Sequence, residues 1–424
     1  MSTTPDPAAE DARLFDPWTR EYALLGLRLE RLAPGTVDAW IGPAAWREAV
    51  NAEPAPAPAD LQAAAARLAA DLPGMGYGRT RTEYLRRQVT ALEAQARVLA
   101  GAAIPFAEQA RLYFDIQPER VPEDVFAAAH AELDAVLPGE GSLAERRAAW
   151  RQRFQAPPQA VLPVLDSIAA EVRDRTTAHW PLPADESIEL ALVRDQPWGA
   201  YNWYLGHARS RIEINTDLPM QVDGLVDYLC HEGYPGHHTE HALREVRQYR
   251  GRGQGEYAIQ IINTPESLIS EGIATSACEM IFDGADDLAW TAAHVLPALE
   301  MQMDVERAAR IRDATLALSG VSGNAAFLLH EDGRPPDEVA AYVARWGLRR
   351  PEEAAHHLRF LQSPLWRVYA FTYTYGHALL APLLAGPDRE TVFGRILTEP
   401  VYPTMLAESM YAQWAKLGAG PAAP

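Results

Sequence analysis

Over most of the first 180 residues apolar side chains recur at three- and four-residue spacing, and Pro or Gly stands at the breaks. After a polar, Pro-containing start, the pattern opens at Pro17-Trp18-Thr19-Arg20-Glu21-Tyr22. It predicts helices over 57–72, 79–101, 105–115, 122–136, 142–154 and 158–176. In the segment from Arg79, Tyr84, Leu85, Val89, Leu92, Ala96 and Leu99 fall on one stripe, the mark of a helix packed on one side. The period changes at Asp185. Ile188-Glu189-Leu190-Ala191-Leu192-Val193 and Arg211-Ile212-Glu213-Ile214-Asn215 alternate as strands do, with aromatic Trp198-Gly199-Ala200-Tyr201-Asn202-Trp203-Tyr204 between them. From Met220 the helical period returns, over 221–248, 265–283, 286–319, 321–330, 336–346, 351–361, 364–384 and 388–396. The Ala/Pro run over 49–59 reads as an extended connector, and Gly251-Arg252-Gly253-Gln254-Gly255 as a loop. The expectation is a mainly α protein with one small β-sheet. Residues 1–180 form an N-terminal helical part and 181–424 a second part, either separate or as one continuous domain.

Composition narrows the function classes. The 424-residue chain is 48% hydrophobic and 22% charged, which is ordinary for a folded globular protein. A net charge of -19 argues against nucleic acid as a partner, because phosphate binding needs a concentrated basic surface. No window approaches the roughly 20 apolar residues of a membrane span, and the N-terminus lacks the basic and apolar regions of a secretory signal. With only Cys230 and Cys278 in the chain, no disulfide framework is indicated, and a cytoplasmic protein is expected.

Candidate chemistry concentrates in Leu229-Cys230-His231-Glu232-Gly233-Tyr234-Pro235-Gly236-His237-His238-Thr239-Glu240-His241. A His-Glu pair followed by a further His on the same helix presents two imidazoles to zinc and keeps the Glu free as a general base. The spacing here is not the usual four residues. On an ideal helix at about 100° per residue, His238 returns to the face of His231 and His237 does not. Pro235-Gly236 argues against an ideal helix, and a local widening that absorbs two residues would bring His237 into place instead. A third ligand is expected from Glu271, in the second turn of a helix that opens at Thr264-Pro265-Glu266, because a carboxylate among small and apolar residues needs a partner or a cation.

His-Glu-Gly-Tyr-Pro-Gly-His-His at 231–238, followed by Ser-Glu-Gly-Ile-Ala at 270–274, resembles the bacterial domain-of-unknown-function 885 family, with its His-Glu-x-x-Pro-Gly-His-His motif and later Glu-Gly. That family is similar to the gluzincin metallopeptidases. The resemblance implies a multi-helix, zinc-peptidase-like body with the small sheet just before the His-Glu helix. It also implies one zinc per chain held by His231, His237 and Glu271, with Glu232 as base. His238 remains the alternative second ligand or a supporting residue, and His241 a supporting residue.

The expected reaction is hydrolysis of short peptides by a metal-activated water, with Glu232 moving the proton. The same parts would also serve a non-peptide amide, or a metal-binding helical protein without turnover. Oxyanion donors are sought in Trp366-Arg367-Val368-Tyr369-Ala370-Phe371-Thr372-Tyr373-Thr374-Tyr375-Gly376-His377, where the resemblance places a cleft-lining helix that ends at a glycine. Tyr375 and His377 are the catalytic candidates here. Arg367 and Tyr373 are the substrate-binding candidates, with Arg209 and Arg211 as further cations. His356-His357 reads as part of an exposed or lightly buried helix.

Overall fold

The computed structural model describes residues 13–195, 199–217 and 220–407, and the chain is mainly helical throughout them. Trp198 of the aromatic segment lies outside the described residues. The helix Pro17–Leu32 starts where Asp16 accepts the Thr19 N–H (2.8 Å) and Pro17 occupies a position that needs no N–H. Helices follow at Pro58–Asp71, Arg79–Leu99, Phe106–Phe114, Glu123–Val136, Leu143–Gln152 and Pro158–His179, within a few residues of the periodic segments. Tyr84, Leu85, Val89, Leu92 and Ala96 are buried as their stripe requires, while Leu99 in the last turn is exposed. One buried apolar cluster joins Leu85 and Val89 of this part to Leu229, Ile273 and Phe393 of the second.

Three expectations about element boundaries are corrected. The Ala/Pro connector is only 53–57, because Ala44–Ala52 is helical and Pro58 opens the next helix. The segment 286–319 is interrupted: Asp286–Trp290 and Val305–Leu316 are separate helices, with Pro297 and a left-handed Glu300 (φ 56°) between them. The helix expected from 364 begins at Thr372, after a tight turn at Tyr369–Phe371.

The small sheet has three strands. Ser187–Val193 runs parallel to the central Arg209–Asn215, and Ala200–Gly206 pairs antiparallel on its other side. The central strand alternates, with Ser210, Ile212 and Ile214 buried. The aromatic segment is thus itself an edge strand, in keeping with the β-propensity of Tyr and Trp. A second ladder joins distant chain segments, Val37–Trp40 against Ile259–Ile261, and its register shifts between Val37 and Ala39. That irregularity falls on Asp38, and bulges of this kind re-aim a side chain.

The helices Pro265–Ile281 and Thr372–Leu384 cross where Gly272 meets Gly376. A Cβ on Gly376 would stand 2.6 Å from the Gly272 nitrogen, and one on Gly272 would stand 2.8 Å from the Gly376 carbonyl oxygen. Backbone cannot step aside as a side-chain tip can. Gly376 therefore marks a close helix crossing rather than a helix end. Gly376→Ala is expected to destabilise the fold by about 1–3 kcal/mol, the usual effect of overpacking, in urea unfolding. Gly74→Ala, where nothing lies within 4 Å, is the near-neutral control. Among the described residues no helix is long and apolar enough to cross a membrane.

Candidate metal centre

The motif folds as a corner between two short helices, not as one widened helix. Leu225–Glu232 ends at Gly233, the chain passes the cis Tyr234–Pro235 peptide, and His237–Arg244 begins after Gly236. Pro235 stops the first helix, as its missing N–H requires. Gly236 is needed at the turn because a Cβ there would lie 2.0 Å from the His231 carbonyl oxygen and 2.4 Å from that of Cys230. The fold-back sets the His231 and His237 rings edge to face, centroids 4.9 Å apart.

His237 is oriented from behind. Ser270 Oγ donates to Glu240 Oε2 (2.5 Å), so it accepts from His237 Nδ1–H (3.1 Å), which leaves His237 Nε2 without a proton. Glu240 in turn pairs with the buried Arg244 (2.7 Å), which also holds Glu266 (2.9 Å). This relay of a carboxylate behind a neutral imidazole fixes tautomer and ring direction, as metal-ligating histidines require.

His238 faces the other way. Its Nδ1 meets Ser210 Oγ (2.8 Å), its Nε2 meets Glu186 Oε2 (2.9 Å), and no part of it is exposed. With both nitrogens engaged it has no lone pair for a metal, so neither the alternative-ligand nor a direct supporting role fits its position. It ties the motif to the sheet. His241 lies between Tyr204 and His237, tilted against the first ring (4.9 Å, 32°) and stacked on the second (6.3 Å, 22°).

Glu271 reaches the same point from the helix Pro265–Ile281. The potential ligand atoms of His231, His237 and Glu271 all lie within 4.8 Å of one another. Glu271 Oε1 accepts from the Tyr369 hydroxyl (2.7 Å), but Oε2 is buried without a hydrogen-bond partner. It faces His231 Nε2 at 3.6 Å. Burial holds the His231 pKa down to about 4, so at neutral pH this is not an ion pair. Burial, with Glu232 and Asp38 nearby, pushes Glu271 up to about 8 against the hydrogen bond from Tyr369. A neutral imidazole set against a buried carboxyl oxygen without a partner is an arrangement completed by a cation, whose binding displaces the carboxyl proton, and two neutral imidazoles with one carboxylate form a donor set suited to zinc. The residues fit the metal.

These groups line a cavity of about 500 Å³. Glu232 lies on its wall with its carboxyl buried, and burial followed by Asp38 pushes its pKa up to about 8. Asn202, on the edge strand, donates to the Glu232 backbone carbonyl (2.5 Å) and holds the end of that helix. Asp38 is half-buried, accepts from the Tyr201 hydroxyl and is raised to about 6 by desolvation. Tyr373 stacks on His231 (6.4 Å, 26°).

The other sequence candidates are not brought here. Tyr375 sits about 200° round its helix from Tyr373 and bonds to the backbone of Glu119 instead. His377 lies beyond the glycine crossing, next to Glu279 at 3.6 Å, and Glu279 is about 12 Å along its helix from Glu271 at 1.5 Å per residue. Arg367 turns to Gln109 Oε1 (2.9 Å), and Arg211 pairs with Glu213 (3.1 Å). None of these four lines the cavity, whereas Tyr373 does. Conversely, Asp38, Tyr201, Asn202 and Tyr369 are cavity residues to which the sequence assigned no role, and His356, expected on an exposed or lightly buried helix, is exposed and also reaches the wall. A tyrosine four residues before Tyr373, on the same helical face, is the one signal that would have pointed to Tyr369.

No protein-family profile matches the chain, and no curated protein matches its sequence. Among solved structures it is similar to "the putative lipoprotein from Colwellia psychrerythraea", at 13% identity and a TM-score of 0.52 over 84% of this chain and 70% of that one. That likeness is one of fold. An M32 carboxypeptidase from Deinococcus radiodurans R1 aligns at 14% identity over 89% of this chain and 88% of that one, with a TM-score of 0.35, too loose a superposition to indicate a common fold.

Proposed function

We propose that this protein is a zinc-dependent peptidase of the gluzincin type, similar to the domain-of-unknown-function 885 family, with His231, His237 and Glu271 as ligands. The observation that carries the reading is the buried, unpartnered Glu271 Oε2 set against two neutral imidazoles on the wall of a cavity. Zinc bound there would supply Lewis-acid polarisation of a carbonyl oxygen and would acidify the attacking water. Glu232 is the proton carrier: its carboxylate takes the proton of the water and returns it to the leaving amine, and its buried setting keeps its basicity near neutrality. Asp38, held by Tyr201, keeps Glu232 in that range by its negative charge. Tyr373, with its ring against His231, keeps the substrate-binding role expected of it and also takes the oxyanion-donor place expected of Tyr375 and His377. A volume of about 500 Å³ is the size of a small-ligand site and favours short peptides. The edge strand Ala200–Gly206, which carries Asn202 to the cavity, supports binding of an extended substrate by strand addition.

Elemental analysis is expected to find about one zinc per chain after purification without chelator, and a panel of short peptides to be hydrolysed. Glu271→Ala should then lose the metal. A metal-free wild type loaded with zinc and still empty would end the reading. Tight zinc without cleavage of any peptide would remove the peptidase and keep the metal site.

A further inference from the structure

The cavity wall also carries a cation, on the helix Pro351–Gln362. Among the described residues lining the cavity, Arg359 is the one guanidinium, while Asp38, Glu232 and Glu271 make the rest of it acidic. Arg359 has no carboxylate within ion-pair distance among the described residues, unlike Arg244 with Glu240 and Glu266, Arg81 with Glu256, or Arg173 with Glu186. The residue is exposed at the cavity rim, and its side chain is held by two hydrogen bonds. One terminal nitrogen donates to the Ala355 carbonyl oxygen (3.4 Å) and the other to His356 Nδ1 (3.0 Å). Of the five N–H donors of a guanidinium, three remain for a ligand, and the fork matches a carboxylate.

From Arg359 an aromatic wall leads toward the histidines. Phe360 stacks on Trp366 (6.2 Å, 20°), Trp366 meets Tyr369 edge on (5.4 Å), Tyr369 meets Tyr373 (5.9 Å), and Tyr373 stacks on His231. An apolar side chain next to a carboxylate would lie against this wall. In a protein of net charge -19, non-specific attraction of anions is weak, so a carboxylate ligand needs a dedicated partner such as this.

We propose that Arg359 anchors a carboxylate of the substrate, so that the preferred substrates are peptides bearing a free carboxylate beside an apolar residue; this rests on the peptidase reading of the same cavity. The carboxylate has two sources, the C-terminus of the peptide or an acidic side chain, and both present the same planar anion to the guanidinium.

Binding is tested without turnover, by calorimetry of the zinc-loaded protein with 3-phenylpropanoate and 3-phenylpropanamide. Wild type is expected to bind the acid about 10-fold or more tightly than the amide, the usual range for a hydrogen bond to a charged group. In Arg359→Gln that preference should fall to near unity, and Arg359→Lys should be intermediate because it keeps the charge and loses the fork. In hydrolysis, a peptide acid compared with its C-terminal amide, and an internal Glu compared with Gln in an amidated peptide, separate the two sources. A preference in the first pair assigns the C-terminus, and one in the second assigns the side chain. Equal binding of acid and amide by wild type, or an undiminished acid preference in Arg359→Gln, overturns the proposal. Failure of the peptidase reading looks different: no peptide is cleaved, while the Arg359-dependent acid preference persists.

Discussion

Glu232→Gln is expected to keep the zinc content and the unfolding midpoint of the wild type while lowering kcat by about 10²–10⁴-fold, the range carried by a positioned acid–base group. The amide has the shape of the carboxylate and fills the same place on the cavity wall. It cannot accept a proton from water, and so cannot return one to the leaving amine. The fold should tolerate the change, because the side chain is buried in a setting that already disfavours its charge and a neutral group relieves its repulsion with Asp38. Kinetics on the best peptide of the panel, with metal analysis of the same preparation, decides the matter. Wild-type turnover in this variant would move the base elsewhere, and loss of zinc would make Glu232 a ligand.

The second large effect separates the adjacent histidines. His237→Ala is expected to abolish stoichiometric zinc, since it removes one of three donors from a site in which the remaining two lie 3.6 Å apart. His238→Ala should keep zinc and lose stability instead. It leaves Glu186 and Ser210 without their buried partner, a change worth about 1–3 kcal/mol, partly offset because Arg173 (2.5 Å) and Tyr234 (2.6 Å) still hold Glu186. Elemental analysis and urea unfolding on the two variants read the two effects independently. Zinc retained in His237→Ala and lost in His238→Ala would reverse the assignment and require the corner at Pro235-Gly236 to refold on metal binding.

Periodicity alone located most of the helices, because an amphipathic stripe such as Tyr84, Leu85, Val89 and Leu92 reports its own burial. The candidate group His231, Glu232 and Glu271 was also legible, because ionisable side chains on a buried helix need a partner or a cation. The His237 and His238 ambiguity was not. Helical angle counts assume a continuous helix, and the corner that decides between the rings is made by Gly236 folding against the carbonyls of Cys230 and His231.

The misplacement of Tyr375 and His377 has a similar origin. One helix carries Tyr373, Tyr375 and His377 within five residues, and only its crossing at Gly272 and Gly376 determines which of them faces Glu271. Asp38 lies nearly two hundred residues before Glu232 in a four-residue strand, and reaches the cavity through a ladder with Ile259–Ile261 that no local pattern announces.

The sequence by itself therefore determined the helical class, the sheet's location and the residue types of the candidate metal site, since each of these follows from side-chain chemistry and short-range period. The tertiary structure decided which ring of a histidine pair faces Glu271, which tyrosines reach the cavity and which arginine stands there unpaired. Those depend on close backbone approaches and on pairings between distant segments, and a linear pattern holds no information about the angle at which two elements meet.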